Sequence, residues 1–309
     1  MFASSFFRLQ YWKTFITPNQ YSHKQIPDLT DKVAIVTGAN SGLGYASTVA
    51  LAAHGAHVFL ACRSQQRAMD AIKRAKEDIK EVLAHLSTEI VKTEPKLEFL
   101  ELDLNDMAKA RDSARNFLAK NLPIHILICN AGINLTPFEL SANGIETQFA
   151  VNHMGHFVFA TALLERIKES QPSRIVIVSS MSHEVHPPGG IDFETLNDVT
   201  NINVVQRYAR SKLANLLFGK ALARRLSKER VYVNIAEPGY TNTAISRHTK
   251  DVYGTLAGKL ADFMNRWVAK DPKMACLTQL YLATSPEVES MDIRGRYFIP
   301  IANELNPSK

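Results

Sequence analysis

Val33–Ser47 reads VAIVTGANSGLGYAS: a run of apolar and β-branched residues, a turn with glycines at 38, 42 and 44, and then a helix-forming segment. Val33–Thr37 has the unbroken apolar character of a strand covered on both faces, and 42–54 reads as a helix. Between them, Gly38, Gly42 and Gly44 let the backbone turn tightly and approach a pyrophosphate, whose charge then faces the free N–H groups at the helix start. The spacing is G-x-x-x-G-x-G. A glycine trio alone also suits an ordinary tight turn, so its weight comes from lying at the first strand–helix junction of an alternating chain.

That alternation continues outward. Apolar strands are expected at 57–61, 97–103, 124–130, 174–180 and 231–237. Helical patterns fall at 65–89, 106–120, 144–168 and 204–226. Strands of this kind must be covered on both faces, and helices of ten or more residues between them mark βαβ units. The expected fold is a single α/β domain, a Rossmann-type doubly wound parallel sheet of about seven strands with helices on both faces. Ligand would bind at the carboxyl ends of the strands.

With 309 residues, 46% of them hydrophobic and 21% charged, the chain has a globular composition and length for a large core. No linker or repeat divides it, so residues 28–309 are expected to form one domain behind an extension, 1–27. The net charge of +6 is compatible with an anionic cofactor or surface. No Lys/Arg tract is dense enough for nucleic acid. Cys62, Cys129 and Cys276 lie far apart, which points to buried reduced thiols and a cytoplasmic setting.

The extension has no acidic residue and carries Phe2, Phe6, Phe7, Tyr11, Trp12 and Phe15. Residues 1–25 suit peripheral contact with a membrane or lipid droplet, a weak mitochondrial address, or a segment that packs across the domain or is disordered. The polar C-terminal IANELNPSK excludes a membrane helix there.

The end of the second strand bears on cofactor choice. An NAD enzyme usually places an acid there, whereas a 2′-phosphate prefers arginine. Here Cys62 stands where the acid would be and Arg63 follows, so NADP(H) is favoured over NAD. Asp103 ends the third strand, placed to contact the adenine, and Asp106 suits a helix cap. Asn130-Ala131-Gly132 closes the fourth strand, its glycine permitting close approach and its asparagine able to tie neighbouring strands.

QRYARSKLAN, 206–215, sets Tyr208 and Lys212 one helical turn apart, on one face. By itself such a pair is ordinary on a solvated helix. A tyrosine with a pKa of about 10 holds its proton too firmly to act as a base near neutrality. A neighbouring ammonium, and the positive charge of an oxidised nicotinamide, favour the phenolate. Arg207 and Arg210 read as solvated or near phosphate.

Taken together, TGANSGLG, NAG, VSS, YARSK and EPGYTNT occur in the order and spacing of the short-chain dehydrogenases/reductases, which residues 28–298 resemble. VNHMGHF, RIVIVSSMSH and RSKLANLLF resemble the retinol dehydrogenase and WW-domain oxidoreductase branch, including its fungal relatives. The resemblance implies a catalytic tetrad of Asn152, Ser180, Tyr208 and Lys212. Ser180 would polarise the substrate oxygen, and Asn152 would hold a water in a proton relay. It also implies cofactor contacts from Gly38, Asn40, Ser41, Gly42, Leu43, Gly44, Arg63, Asp103, Leu104, Asn130, Ala131, Gly132, Tyr208, Lys212, Pro238, Gly239, Thr241 and Thr243. Glu237 departs from the family's usual His or Asn, and either tunes substrate choice or forms an ion pair.

The resemblance further implies an NADP(H)-dependent oxidoreductase interconverting an alcohol and a carbonyl compound, lipophilic in character, and a homodimer or homotetramer. The segment 240–270 would form a substrate lid, its Leu260, Phe263, Met264, Trp267 and Val268 making an apolar stripe. His183, Glu184 and His186 lack a clear third ligand, so no metal is expected. Two other readings compete: a non-catalytic NADP(H)-binding scaffold or sensor, and a dehydratase or epimerase.

Overall fold

The chain was analysed as a computed structural model, which describes residues 17–85, 94–241 and 270–307. Residues 1–16, Thr243 and almost all of the expected lid lie outside that set.

Eight strands form one sheet: β1 (Val33–Thr37), β2 (His57–Cys62), β3 (Leu97–Glu101), β4 (Ile126–Cys129), β5 (Ser173–Val178), β6 (Val231–Ala236), β7 (Tyr297–Ile299) and β8 (Asn303–Leu305). Their order is β3-β2-β1-β4-β5-β6-β7-β8. All neighbours are parallel except β7 and β8. The antiparallel edge comes from the polar C-terminal segment, whose pattern gives no strand signal. β1 pairs with β2 on one side and β4 on the other, with Val36 opposite both Leu60 and Ile128. The winding direction therefore reverses beside β1, and a crevice opens at the carboxyl ends there.

Helices α1 (Gly42–Ala53), α2 (Gln65–His85), α3 (Met107–Leu118), α4 (Gly155–Ala162), α5 (Leu164–Glu169), α6 (Val204–Arg225) and α7 (Leu277–Thr284) cover the two faces. Residues of β1 alternate between two apolar clusters, as the period of a strand requires. Ala34 and Val36 join the side built on α1, α2 and α7. Val33 and Ile35 join the side built on α3, α4 and α6. Asp106 caps α3, its carboxylate accepting from Ala108 N and Lys109 N at 2.9 and 3.2 Å. Asn203 and Gln206 form a capping box that starts α6.

Part of the extension joins the domain. The Tyr21 ring is buried in the α1/α7 cluster, and its hydroxyl lies 2.9 Å from Thr284 Oγ1.

The segment expected to be helical over 144–168 is helical over most of Thr147–Glu169, but not as one regular α-helix. A short turn at Thr147–Phe149 leads into a π-helical turn, Ala150–Met154, before α4 begins at Gly155. A Cβ on Gly155 would sit 2.8 Å from Leu104 Cα, so the chain presents glycine at that contact.

Candidate active site

The β1–α1 turn is pressed against the loop after β4. Gly38 is left-handed, at φ +66°, and a Cβ there would lie 2.9 Å from Ala131 Cα. On Gly44 it would lie 2.6 Å from Asn130 Nδ2. Asn130 Nδ2 donates to Thr37 O, and Thr37 Oγ1 accepts from Asn130 N and Ala131 N, all at 2.9 Å. The strand-tying role read for Asn130 thus has a definite geometry. Ser41, at the start of α1, makes no side-chain cap, so the N–H groups of that helix remain free to receive an anion.

A groove of about 400 Å³ runs along this turn, from Arg63 and Arg67 past Asp103 to Gly132. Asn40, Ser41, Gly42, Leu43, Leu104, Asn130 and Ala131 also line it. Asp103 gives one carboxylate oxygen to Asn105 N at 3.0 Å. Cys62 is buried, and burial pushes its thiol up to about 11, so the end of β2 carries no negative charge. Both arginines are exposed on the groove. The sequence reading named Arg63 and passed over Arg67, although R-x-x-x-R at a helix start places both on one side. The arrangement fits a dinucleotide: free helix N–H groups, glycines that admit close approach, two guanidinium groups, and Oδ1 atoms of Asn105, Asn130 and Asn134 that are buried without a partner in the chain.

At the far end of the groove the four residues read as a tetrad come together. Ser179 and Ser180 separate cleanly. Ser179 is buried and its hydroxyl donates to Lys212 O at 2.7 Å, a structural bond. Ser180 is half-buried; its hydroxyl donates to Ser182 Oγ and accepts from Ser182 N, both at 3.2 Å, and lies close enough to the Tyr208 phenol to lower its pKa. Lys212 Nζ donates to Val178 O at 3.1 Å and lies 5.8 Å from the centre of the Tyr208 ring. Asn152, in the π-helical turn, accepts from Ile133 N at 2.8 Å and donates to Ile133 O and Ser211 Oγ at 3.0 and 2.9 Å. A Cβ on Gly132 would lie 3.3 Å from Asn152 Oδ1 and 3.5 Å from Lys212 Nζ, so these two groups flank the bare glycine.

The electrostatics differ from the sequence expectation. Burial pushes the Tyr208 phenol up; the Ser180 hydrogen bond opposes this and the Glu237 carboxylate adds to it. Lys212 is itself pushed down to about 8 by burial. In the protein alone, desolvation outweighs any help from the lysine, whose ammonium is bonded to a carbonyl.

Arg207 and Arg210 are not solvated. Both are buried. Arg207 pairs with Glu146 at 3.5 Å. Arg210 donates to Thr195 O and Leu196 O at 3.0 and 2.7 Å, anchoring the loop that precedes α6. His183 Nδ1 donates to Ser180 O at 2.7 Å and His186 Nδ1 to Pro187 O. Among the described residues no group of three or more His, Cys, Asp or Glu could hold a metal ion.

After β6, Glu237 is buried, one oxygen accepting from Gly239 N at 2.9 Å and the other without a partner. Burial pushes it up to about 7. Pro238 leads into left-handed Gly239, and Thr241 Oγ1 donates to Gly239 O at 3.2 Å.

A doubly wound sheet, a glycine turn at its switch point, and a Ser–Tyr–Lys–Asn cluster at the end of the groove define a dinucleotide-dependent oxidoreductase. Residues 32–195 match the family model for short chain dehydrogenase, and the chain belongs to that family of NAD(P)-dependent enzymes acting on CH–OH groups. It is 35% identical over 297 residues to an uncharacterized oxidoreductase of Schizosaccharomyces pombe, covering 94% of this chain and 83% of that one. Human retinol dehydrogenase 14 is 38% identical over 267 residues, 86% of this chain and 77% of the relative. The human WW domain-containing oxidoreductase is 37% identical over 279 residues, which are 88% of this chain but only 62% of that protein. Among solved structures, a gluconate 5-dehydrogenase-like protein of Beutenbergia cavernae, with NADP bound at low occupancy, superposes with a TM-score of 0.62 at 25% identity, covering 88% and 95% of the two chains.

Proposed function

We propose that the protein is an NADP(H)-dependent oxidoreductase that interconverts an alcohol and a lipophilic carbonyl compound of the retinoid, steroid or fatty-aldehyde type. The observation that carries this reading is the convergence of Ser180, Tyr208, Lys212 and Asn152 at the end of a groove whose opposite end presents Arg63 and Arg67. Bound nicotinamide would supply hydride to the carbonyl carbon, or accept it from the alcohol carbon. Ser180 donates a hydrogen bond to the substrate oxygen and polarises it. Tyr208 gives its phenolic proton to that oxygen in reduction and takes the hydroxyl proton in oxidation. Lys212, with a pKa brought to about 8 by burial, exchanges a proton near neutral pH and replenishes the tyrosine. Asn152 holds the water that continues the relay to solvent.

The preference for NADP(H) is supported by the neutral Cys62 and the two arginines, and by the NADP bound to the Beutenbergia protein. A lipophilic substrate is supported by the kinship with retinol dehydrogenase 14. Exposed Phe157 and Leu217, on α4 and α6, support association into a homodimer or homotetramer.

The test is Tyr208→Phe, assayed with NADPH and NADH on a panel of retinoid, steroid, fatty-aldehyde and quinone carbonyls. Turnover should fall by about 10²- to 10⁴-fold with cofactor binding retained; undiminished reduction would overturn the tyrosine mechanism.

Among the described residues no helix is long and apolar enough to cross a membrane. Peripheral contact through residues 1–25 is proposed from their aromatic, acid-free composition. Deleting residues 1–16, which leaves the packed Tyr21 in place, should release the protein from lipid vesicles; unchanged binding would refute that contact.

A further inference from the structure

Behind the groove lies a buried imidazole that the chemistry above does not use. His156, on α4, is 2% exposed. Its Nδ1 lies 3.0 Å from the backbone carbonyl oxygen of Asn152, and its Nε2 lies 2.8 Å from Thr37 Oγ1. A carbonyl oxygen only accepts, so Nδ1 must carry the hydrogen. Burial pushes the imidazole down to about 3, which keeps it neutral, and Nε2 is then an acceptor. Thr37 Oγ1 already accepts from Asn130 N and Ala131 N. Its own hydrogen turns to Nε2, since the other acceptor in reach, Ile128 O, is at 3.4 Å.

Every direction in this chain is therefore fixed. Asn130 N–H and Ala131 N–H donate to Thr37, Thr37 donates to His156, and His156 donates to the Asn152 carbonyl. The carbonyl belongs to the π-helical turn, and the Val151 carbonyl beside it also acts on the ring. Both hydrogens of the Asn152 amide and one side of its Oδ1 are engaged with Ile133 and Ser211. What remains of Oδ1 faces the gap at Gly132, beside Lys212 Nζ.

We infer that His156 is a positioning residue. Its hydrogen bond to the Asn152 carbonyl, from a ring held at its other end by Thr37, shapes the π-helical turn and so sets where Asn152 meets Lys212. This inference rests on the oxidoreductase reading of the same site. The resemblance gives Asn152 a role but gives none to the histidine four residues on, which stands in the same VNHMGHF phrase.

Asparagine and glutamine separate the two ends of the ring. In His156→Asn the amide nitrogen stands where Nδ1 stood and can donate to the Asn152 carbonyl. In His156→Gln the amide reaches the Nε2 position and can bond Thr37, leaving the carbonyl unpartnered. His156→Leu loses both. The readouts are kcat and KM with NADPH and the panel carbonyl that the wild-type protein reduces fastest, and amide hydrogen exchange at Ile133 in the cofactor-free protein.

A misplaced relay group costs about 10²-fold in kcat. The expected result is such a loss in the Leu and Gln variants with KM for NADPH little changed, most of it recovered in the Asn variant. Ile133 exchange should be faster in the Leu and Gln variants and near wild type in the Asn variant. Equal losses in the Asn and Gln variants, or a wild-type kcat in the Gln variant, would overturn the inference. If the Leu variant fails to fold, the Asn/Gln pair decides alone. Tyr208→Phe run alongside distinguishes the two failures. If it keeps full turnover, the reaction assignment falls and Ile133 exchange alone judges His156; if it is inactive while all His156 variants turn over normally, only the role of His156 falls.

Discussion

Replacing Glu237 with glutamine keeps the shape of the side chain and removes its charge, which makes it a direct probe of the interior beside Tyr208. The wild-type carboxyl is buried at 4% exposure. Gly239 N–H and the charge of Lys270 favour its ionised form, yet burial dominates and its pKa rises from 4.5 to about 7. The sign follows from proton counting. Below pH 4.5 both folded and unfolded chains hold the proton and the group contributes nothing. Between 4.5 and 7 the unfolded chain releases it while the folded chain keeps it, so stability falls as pH rises. Above 7 the loss is complete, about 3 kcal/mol at about 1.4 kcal/mol per pH unit. The buried imidazoles of His153 and His156, pushed down to about 4 and 3, work in the opposite sense. They are present in both proteins and cancel in the comparison. The assay is urea unfolding of the cofactor-free wild type and Glu237→Gln from pH 4.5 to 8.5, followed by circular dichroism. Glutamine should be close to neutral at the acid end and stabilise by about 3 kcal/mol at pH 8. A difference that does not change with pH, or a wild type that is the more stable at pH 8, would refute the reasoning.

Two further substitutions test the packing and the cofactor groove. Gly155→Ala puts a methyl 2.8 Å from Leu104 Cα and Cβ. It should destabilise by about 1–3 kcal/mol and lower the melting temperature by several degrees, read by calorimetry. Arg63→Glu should raise KM for NADPH by about 10- to 100-fold and leave KM for NADH nearly unchanged, because a charge-assisted hydrogen bond contributes about 1.5–3 kcal/mol; an equal rise for both cofactors would show that Arg63 does not read the 2′-phosphate.

The parts of this molecule legible in its sequence are those set by local rules. β1, β4, β5 and β6 are buried from end to end, and a strand buried on both faces has to be written as an unbroken apolar run. Asp106 is legible because a cap acts on N–H groups two and three residues away. The π-helical turn at 150–154 is not legible, because periodicity records which side chains are apolar and not which carbonyl each N–H reaches. Nor is the burial of Arg210. Its acceptors, Thr195 and Leu196, lie in a loop whose path no residue pattern declares. The acidity of Tyr208 belongs with these. Helix spacing puts Lys212 on its face, and from spacing alone the ammonium looks decisive. Desolvation, however, is a sum over everything packed around the phenol: α6, the loop after β5, and Glu237 after β6. It exceeds the effect of one neighbouring charge that is already spent on Val178 O. In the proposed reaction the charge that favours the phenolate would therefore be that of the oxidised nicotinamide rather than that of Lys212. Burial keeps Tyr208 protonated in the free protein through neutral pH, and in the proposed oxidation it would act as a base with the oxidised cofactor in place.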